Sequence, residues 1–147
     1  MTNDTRELLE LVYKNAEMGK ATIPELLKLT KHKEFAEALR GELEVYKELA
    51  GEARGMIYSM WGEEPKGLSL LEKMSTEISL RMSTLRDTSV SHMADMLIKG
   101  SSMGISDMAK QMKTYRLAEP RAIALANKLQ SAETHNMDNM QRFLHVV

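Results

Sequence analysis

Residues 35 to 60 read FAEALRGELEVYKELAGEARGMIYSM. Within them Phe35, Leu39, Glu42, Tyr46, Leu49, Ala53, Met56 and Met60 recur in unbroken steps of four and three. An α-helix returns to the same face every ~3.6 residues, so this spacing gathers all eight side chains into one buried stripe. A second stretch behaves in the same way. In AIALANKLQSAETHNMDNMQRF, residues 122 to 143, the stripe is Ala122, Leu125, Leu129, Glu133, Asn136, Met140 and Phe143. Both stripes are apolar except where Glu42, Glu133 and Asn136 interrupt them. A charge buried without a partner is costly, so these three positions need a bound metal or a closed hydrogen-bond network.

Working outward, Leu8, Val12, Ala16, Gly19, Ile23 and Leu26 form the stripe of a first helix that Asp4 or Thr5 can cap. Pro24 inside it is expected to kink or break the last turn. Thr30-Lys31-His32 is the expected corner, followed by helix two over Lys33 to Trp61 and a loop over Gly62 to Gly67. From Leu68 to Leu117 there is no proline, yet two stripes occur: Leu71, Ile78, Met82, Leu85, then Val90, Met93, Leu97, Ser101, Gly104, Met108, Tyr115. At ~100° per residue they differ by about a third of a turn, so two segments are predicted, Leu68 to Asp87 and Thr88 to Arg116. The last helix is predicted over Pro120 to His145, with Pro120 suited to its first position.

With 3 prolines, 8 glycines and no run of β-branched residues in 147, the chain reads as all-α and a single domain. The 13 methionines fit an adaptable core, since unbranched thioethers fill irregular gaps. The pairs Met93 with Met96 and Met137 with Met140 are better read as core than as a copper site. Lys+Arg 20 against Asp+Glu 21 gives a net charge of -1, which does not recruit nucleic acid. Cysteine is absent, which removes disulfides and thiolate chemistry and fits a reducing compartment. No apolar run approaches the ~18 residues a membrane helix needs, and no secretory leader is recognisable. A soluble cytoplasmic protein is the expectation.

Four segments of roughly 25 to 29 residues, each about 40 Å long at 1.5 Å per residue, suit two antiparallel hairpins. The segment from Gly62 to Asp87 would run back along them as a helical crossover between helices two and three. Glu42 and Glu133 then lie about 16 to 18 Å from the same end, at one level. Ala16 and Gly19 on the first helix, and Gly100, Ser101 and Gly104 on the third, are small residues at that level that leave the acids room.

With acids at one level of such a bundle, the chain resembles the ferritin-like superfamily of carboxylate-bridged di-metal four-helix bundles. That resemblance implies acids on four helices and Glu-x-x-His on two of them. Glu133-Thr134-His135-Asn136 stands where one motif would be, with Asn136 in the histidine position. Glu42 matches the acid of the other, and Val45 takes its histidine position. Glu17 on helix one is phased toward solvent, and Asp95 and Asp107 lie off the stripe of helix three. The resemblance spans the whole chain in architecture, but half the ligand set is missing.

The expected function is therefore a non-catalytic or vestigial bundle acting as a structural or interaction protein. In it Glu42 and Glu133 satisfy one another within a buried layer with Tyr46, Ser101 and Asn136, without a cofactor. The alternative is a metal-binding protein or metal-dependent oxidoreductase. There Glu42, Glu133 and Asn136 would hold a single hard divalent cation, or a degenerate iron or manganese site. His32, His92 and His145 gather near one end of this topology and, like His135, are expected to face solvent. Trp61 is expected to close the end of the core or to anchor a partner, and the methionine-rich surface makes a homo-oligomer an expectation. A protein partner is not identifiable from sequence, and neither a nucleotide motif nor a nucleophile–base pair is present.

Overall fold

The computed structural model describes residues 3–146, with residues 69–72 as backbone alone. Its elements are α1 (Asn3–Leu29), α2 (Lys33–Trp61), α3 (Leu71–Ser83), α4 (Val90–Thr114) and α5 (Pro120–Met140). Short 3-10 turns occupy Lys66–Leu70 and Gln141–Phe143, and no strand occurs among the described residues. Leu71, the first residue of the expected early stripe, lies outside the described side chains.

Helix α1 buries the widest face: Leu8 and Leu9, Val12 and Tyr13, then Ala16, Ile23 and Leu26. Doubled positions such as Leu8 and Leu9 follow from its place, because α1 touches each of the other four helices. Pro24 does not break it, and the helix continues to Leu29. A proline in this position costs the hydrogen bond to the Lys20 carbonyl, while the buried Ile23 and Leu26 hold the last turn on the core.

Helix α2 begins where His32 caps it, the ring Nδ1 accepting from the Phe35 N–H at 3.1 Å. It ends at Gly62, whose φ of 67° lets its N–H turn back to the Tyr58 carbonyl at 2.7 Å. The buried stripe is as expected from Phe35 to Ala53, but Ile57 then replaces Met56 and Met60, which are half-buried. Lys66 and Gly67, expected in a loop, belong to the 3-10 turn.

The segment after residue 68 does divide in two, with residues 84–89 between α3 and α4. Asp87 accepts from the Ser89 N–H at 2.9 Å, and Ser89 in turn caps α4 through the His92 N–H at 3.3 Å. Glu10 accepts from the N–H groups of Lys66 and Gly67 at 2.8 and 3.3 Å, and Ser79 donates to Glu25 at 2.8 Å. Chain numbers rise together along these contacts, so α3 runs beside α1 in the same direction. At one end of the molecule the Glu119 N–H reaches Thr5 Oγ1 at 2.9 Å, joining the start of α1 to the turn between α4 and α5. At the other, the Ser91 N–H meets the Val146 carbonyl at 3.2 Å. The last helix stops at Met140, short of the expected His145, and Phe143 remains buried through the following turn.

Candidate functional site

One turn separates Glu42 from Tyr46 on α2, and three residues separate Glu133 from Asn136 on α5, so each helix points two polar groups inward. Helix α4 adds Ser101. All five are buried: Glu42 and Tyr46 are 6% exposed, Ser101 and Glu133 8%, and Asn136 4%. One glycine makes space for this layer. A Cβ on Gly19 of α1 would stand 2.5 Å from the Tyr46 ring, so the ring lies flat against bare backbone. A Cβ on Gly104 of α4 would stand 4.0 Å from Glu133 Oε1. Gly100, expected at the same level, faces solvent with nothing near it.

Glu133 is the centre of the network. The hydroxyls of Ser101 and Tyr46 lie within hydrogen-bonding reach of its carboxylate, and the Asn136 amide donates to Tyr46 Oη at 3.4 Å. Burial pushes the Glu133 carboxyl above its ordinary range, against the opposing pull of the two hydroxyls. Glu42 differs. Its Oε2 is buried without a hydrogen-bond partner, so the layer is not closed around it as the sequence suggested. Burial, and then the charge of Glu133, push the Glu42 carboxyl up to about 8. The Tyr46 hydroxyl is also raised, first by burial and then by Glu133. No lysine or arginine is among the groups acting on either carboxyl. The site can bind a proton at neutral pH, and it can offer carboxylate oxygens to a cation.

A di-metal centre does not fit these residues. Beside the two acids α1 brings Gly19 and α4 brings Ser101 and Gly104, so neither of these helices contributes a carboxylate there. Among the described residues no group of three or more His, Asp or Glu is placed to share a metal. Asp95 is paired with Lys99 at 2.8 Å and Asp107 is exposed.

Glu17 corrects the helical phasing in one respect. Its side chain is only 12% exposed and pairs with Lys20 at 2.9 Å, because neighbours on several sides of α1 leave little of it facing solvent. It acts on Tyr13 and Arg54, not on the acid layer. His32 is likewise half-buried, its ring edge-on to Phe143 at 6.1 Å, whereas His135 and His145 are exposed. Trp61 is half-buried beneath the Arg6 guanidinium, 5.1 Å from its ring.

Sequence reasoning passed over Arg6 and Gln130. Arg6 is 6% exposed and binds Glu63 at 2.6 Å. The spacing of Arg6 and Glu10 was the available signal, but a charged residue at that spacing is ordinarily a surface feature. Gln130 donates to the Ile105 carbonyl at 2.9 Å, tying α5 to α4 from one position beside the stripe. Comparison with protein-family models, curated proteins and solved structures finds no match for this chain.

Proposed function

We propose that the chain is a ferritin-like four-helix bundle of α1, α2, α4 and α5, with α3 as the crossover. In this reading it is non-catalytic and works as a structural or interaction protein. The observation that carries the reading is the asymmetry of the acid level: Glu42 and Glu133 converge from α2 and α5, while Gly19, Ser101 and Gly104 stand on α1 and α4. A bundle that keeps the buried acids without the rest of a ligand set retains a polar layer, which fixes helix register at some cost in stability. The run of α3 beside α1 supports the crossover. Elemental analysis of the native protein tests the reading. Less than one equivalent of any metal per chain is expected, and two equivalents of iron or manganese would overturn it.

A second reading rests on Glu42 Oε2, a buried oxygen without a donor. In that reading a single hard cation takes Glu42, Glu133 and Asn136. One equivalent of magnesium, calcium or manganese that disappears in Glu42→Leu would establish it over the first.

A further inference from the structure

Three segments far apart in the chain meet at the end of the bundle opposite Thr5 and Glu119. The Phe143 ring stands edge-on to His32 at 6.1 Å and to Phe35 at 5.2 Å, which sets the turn after α5 against the corner between α1 and α2. The Ser91 N–H on the Val146 carbonyl, 3.2 Å, adds the start of α4. The Ser79 hydroxyl on Glu25, 2.8 Å, brings the end of α3 beside the end of α1. Six exposed cations stand here, Lys28, Lys31, Lys33, Arg81, Arg86 and Arg142, against four acids, Glu25, Glu34, Asp87 and Asp138. Three of the acids are engaged. Glu25 holds Lys28 at 3.1 Å, Glu34 faces Arg142 at 3.7 Å, and Asp87 accepts from the Ser89 N–H at 2.9 Å. Lys31, Lys33, Arg81 and Arg86 form no ion pair among the described residues. This end is therefore net positive on a chain of net charge -1, and the rest of the chain is net negative.

We propose that this end is a docking face for the surface of a bilayer that carries anionic lipid. Its cations come from three segments around one end and do not line a single groove. A plane of headgroups meets all of them, whereas a nucleic-acid duplex or a lone helix would meet one row. Among the described residues no Phe, Tyr or Trp is exposed here for a base to stack on, since Phe35 and Phe143 are buried. A protein partner would need an apolar centre with large anchors. Of the exposed large apolar side chains, Leu80 alone stands at this end, 65% exposed beside Arg81. One leucine suits the acyl boundary of a bilayer, with the neighbouring guanidinium among the headgroups. The net negative remainder turns away from the same surface, which orients the molecule. No described helix is long and apolar enough to cross a membrane, so the contact is with the surface alone. The face lies apart from the acid layer, and neither result of the elemental analysis bears on it.

The test is co-sedimentation of the full chain with large unilamellar vesicles. Phosphatidylcholine alone is compared with the same lipid carrying about 30% phosphatidylserine, at about 0.05 M and about 0.5 M salt. Binding to the phosphatidylserine vesicles at the lower salt is expected, with none to phosphatidylcholine and loss at the higher salt. Lys31→Ala combined with Arg86→Ala should weaken that partition about 25-fold, roughly fivefold for each cation removed. Lys110→Ala combined with Lys113→Ala, toward the other end of α4, should change it by less than about twofold. All four positions are exposed, so both variants fold. Trp61, the one tryptophan, lies at the opposite end beneath Arg6, and lipids brominated on their acyl chains should not quench it. No partition at the lower salt, or equal partition into both kinds of vesicle, would overturn the proposal. So would equal losses in the two double variants, or quenching of Trp61. Duplex DNA or poly-glutamate bound at a salt where the vesicles are not would overturn it too, and assign the face to another polyanion.

Discussion

At the level of single residues, the two acids of one layer play unequal parts. Glu133 is the acceptor toward which Ser101 and Tyr46 are turned, whereas Glu42 Oε2 has no partner to lose. Leucine at the two positions should therefore have opposite effects. Glu133→Leu strands two buried hydroxyls and should cost about 1 to 3 kcal/mol. Glu42→Leu replaces a desolvated carboxyl with an apolar group of similar size, and should be neutral or stabilising by about 1 kcal/mol at pH 8. Urea melts at that pH compare them directly. Equal losses in both variants would show that Glu42 has a polar partner after all. Sequence alone placed both acids in the core, because their positions continue a stripe of Leu and Phe. It did not distinguish them, since spacing says nothing about which hydroxyl turns to which oxygen.

For whole elements, boundaries followed local chemistry. Helix α2 runs between a capping His32 and a left-handed Gly62, and both ends were expected where they occur. Gly62 has open space around it, so a side chain there meets only backbone strain at φ 67°. Gly62→Ala should accordingly cost about 1 kcal/mol, read as a lower midpoint in thermal or urea unfolding. A shift near zero would mean that the helix end rearranges freely. Pro24 and Glu17 show where local rules stopped short. A proline was expected to disturb the end of α1 and a flanking glutamate to lie in water, but α1 is covered on several sides, and packing overrode both expectations.

On the scale of the molecule, the start of the chain is fastened to a turn more than a hundred residues away. The Glu119 N–H donates to buried Thr5 Oγ1 at 2.9 Å, and the Leu117 N–H to Asp4 Oδ2 at 3.0 Å. Thr5→Val keeps the shape but leaves the Glu119 N–H without its acceptor, which should cost about 1 to 3 kcal/mol of global stability. Hydrogen exchange at the Glu119 amide should rise along with that loss. Unchanged protection there would mean that water or a neighbour replaces the hydroxyl. Arg6 and Trp61 lie on the same α1–α2 flank and pack on each other, so the tryptophan closes part of this end.

The sequence by itself determined the helices, the bounds of α1 and α2, the division of the 68–117 segment and the burial of Glu42, Glu133 and Asn136, while α3 and α5 are shorter than expected. These depend on spacing along one chain, and helical geometry converts spacing into a face. Tertiary structure alone decided which small residue received which large one. Gly19 makes room for the Tyr46 ring, whereas a Cβ would fit at Gly104 beside Glu133 and at Gly100 alike. It also decided that Glu17 is covered, that Ile57 rather than Met56 completes the core, and that Arg6 is buried over Trp61. Each of these depends on the rotation and approach of neighbouring helices, which a periodic pattern on any one helix leaves open.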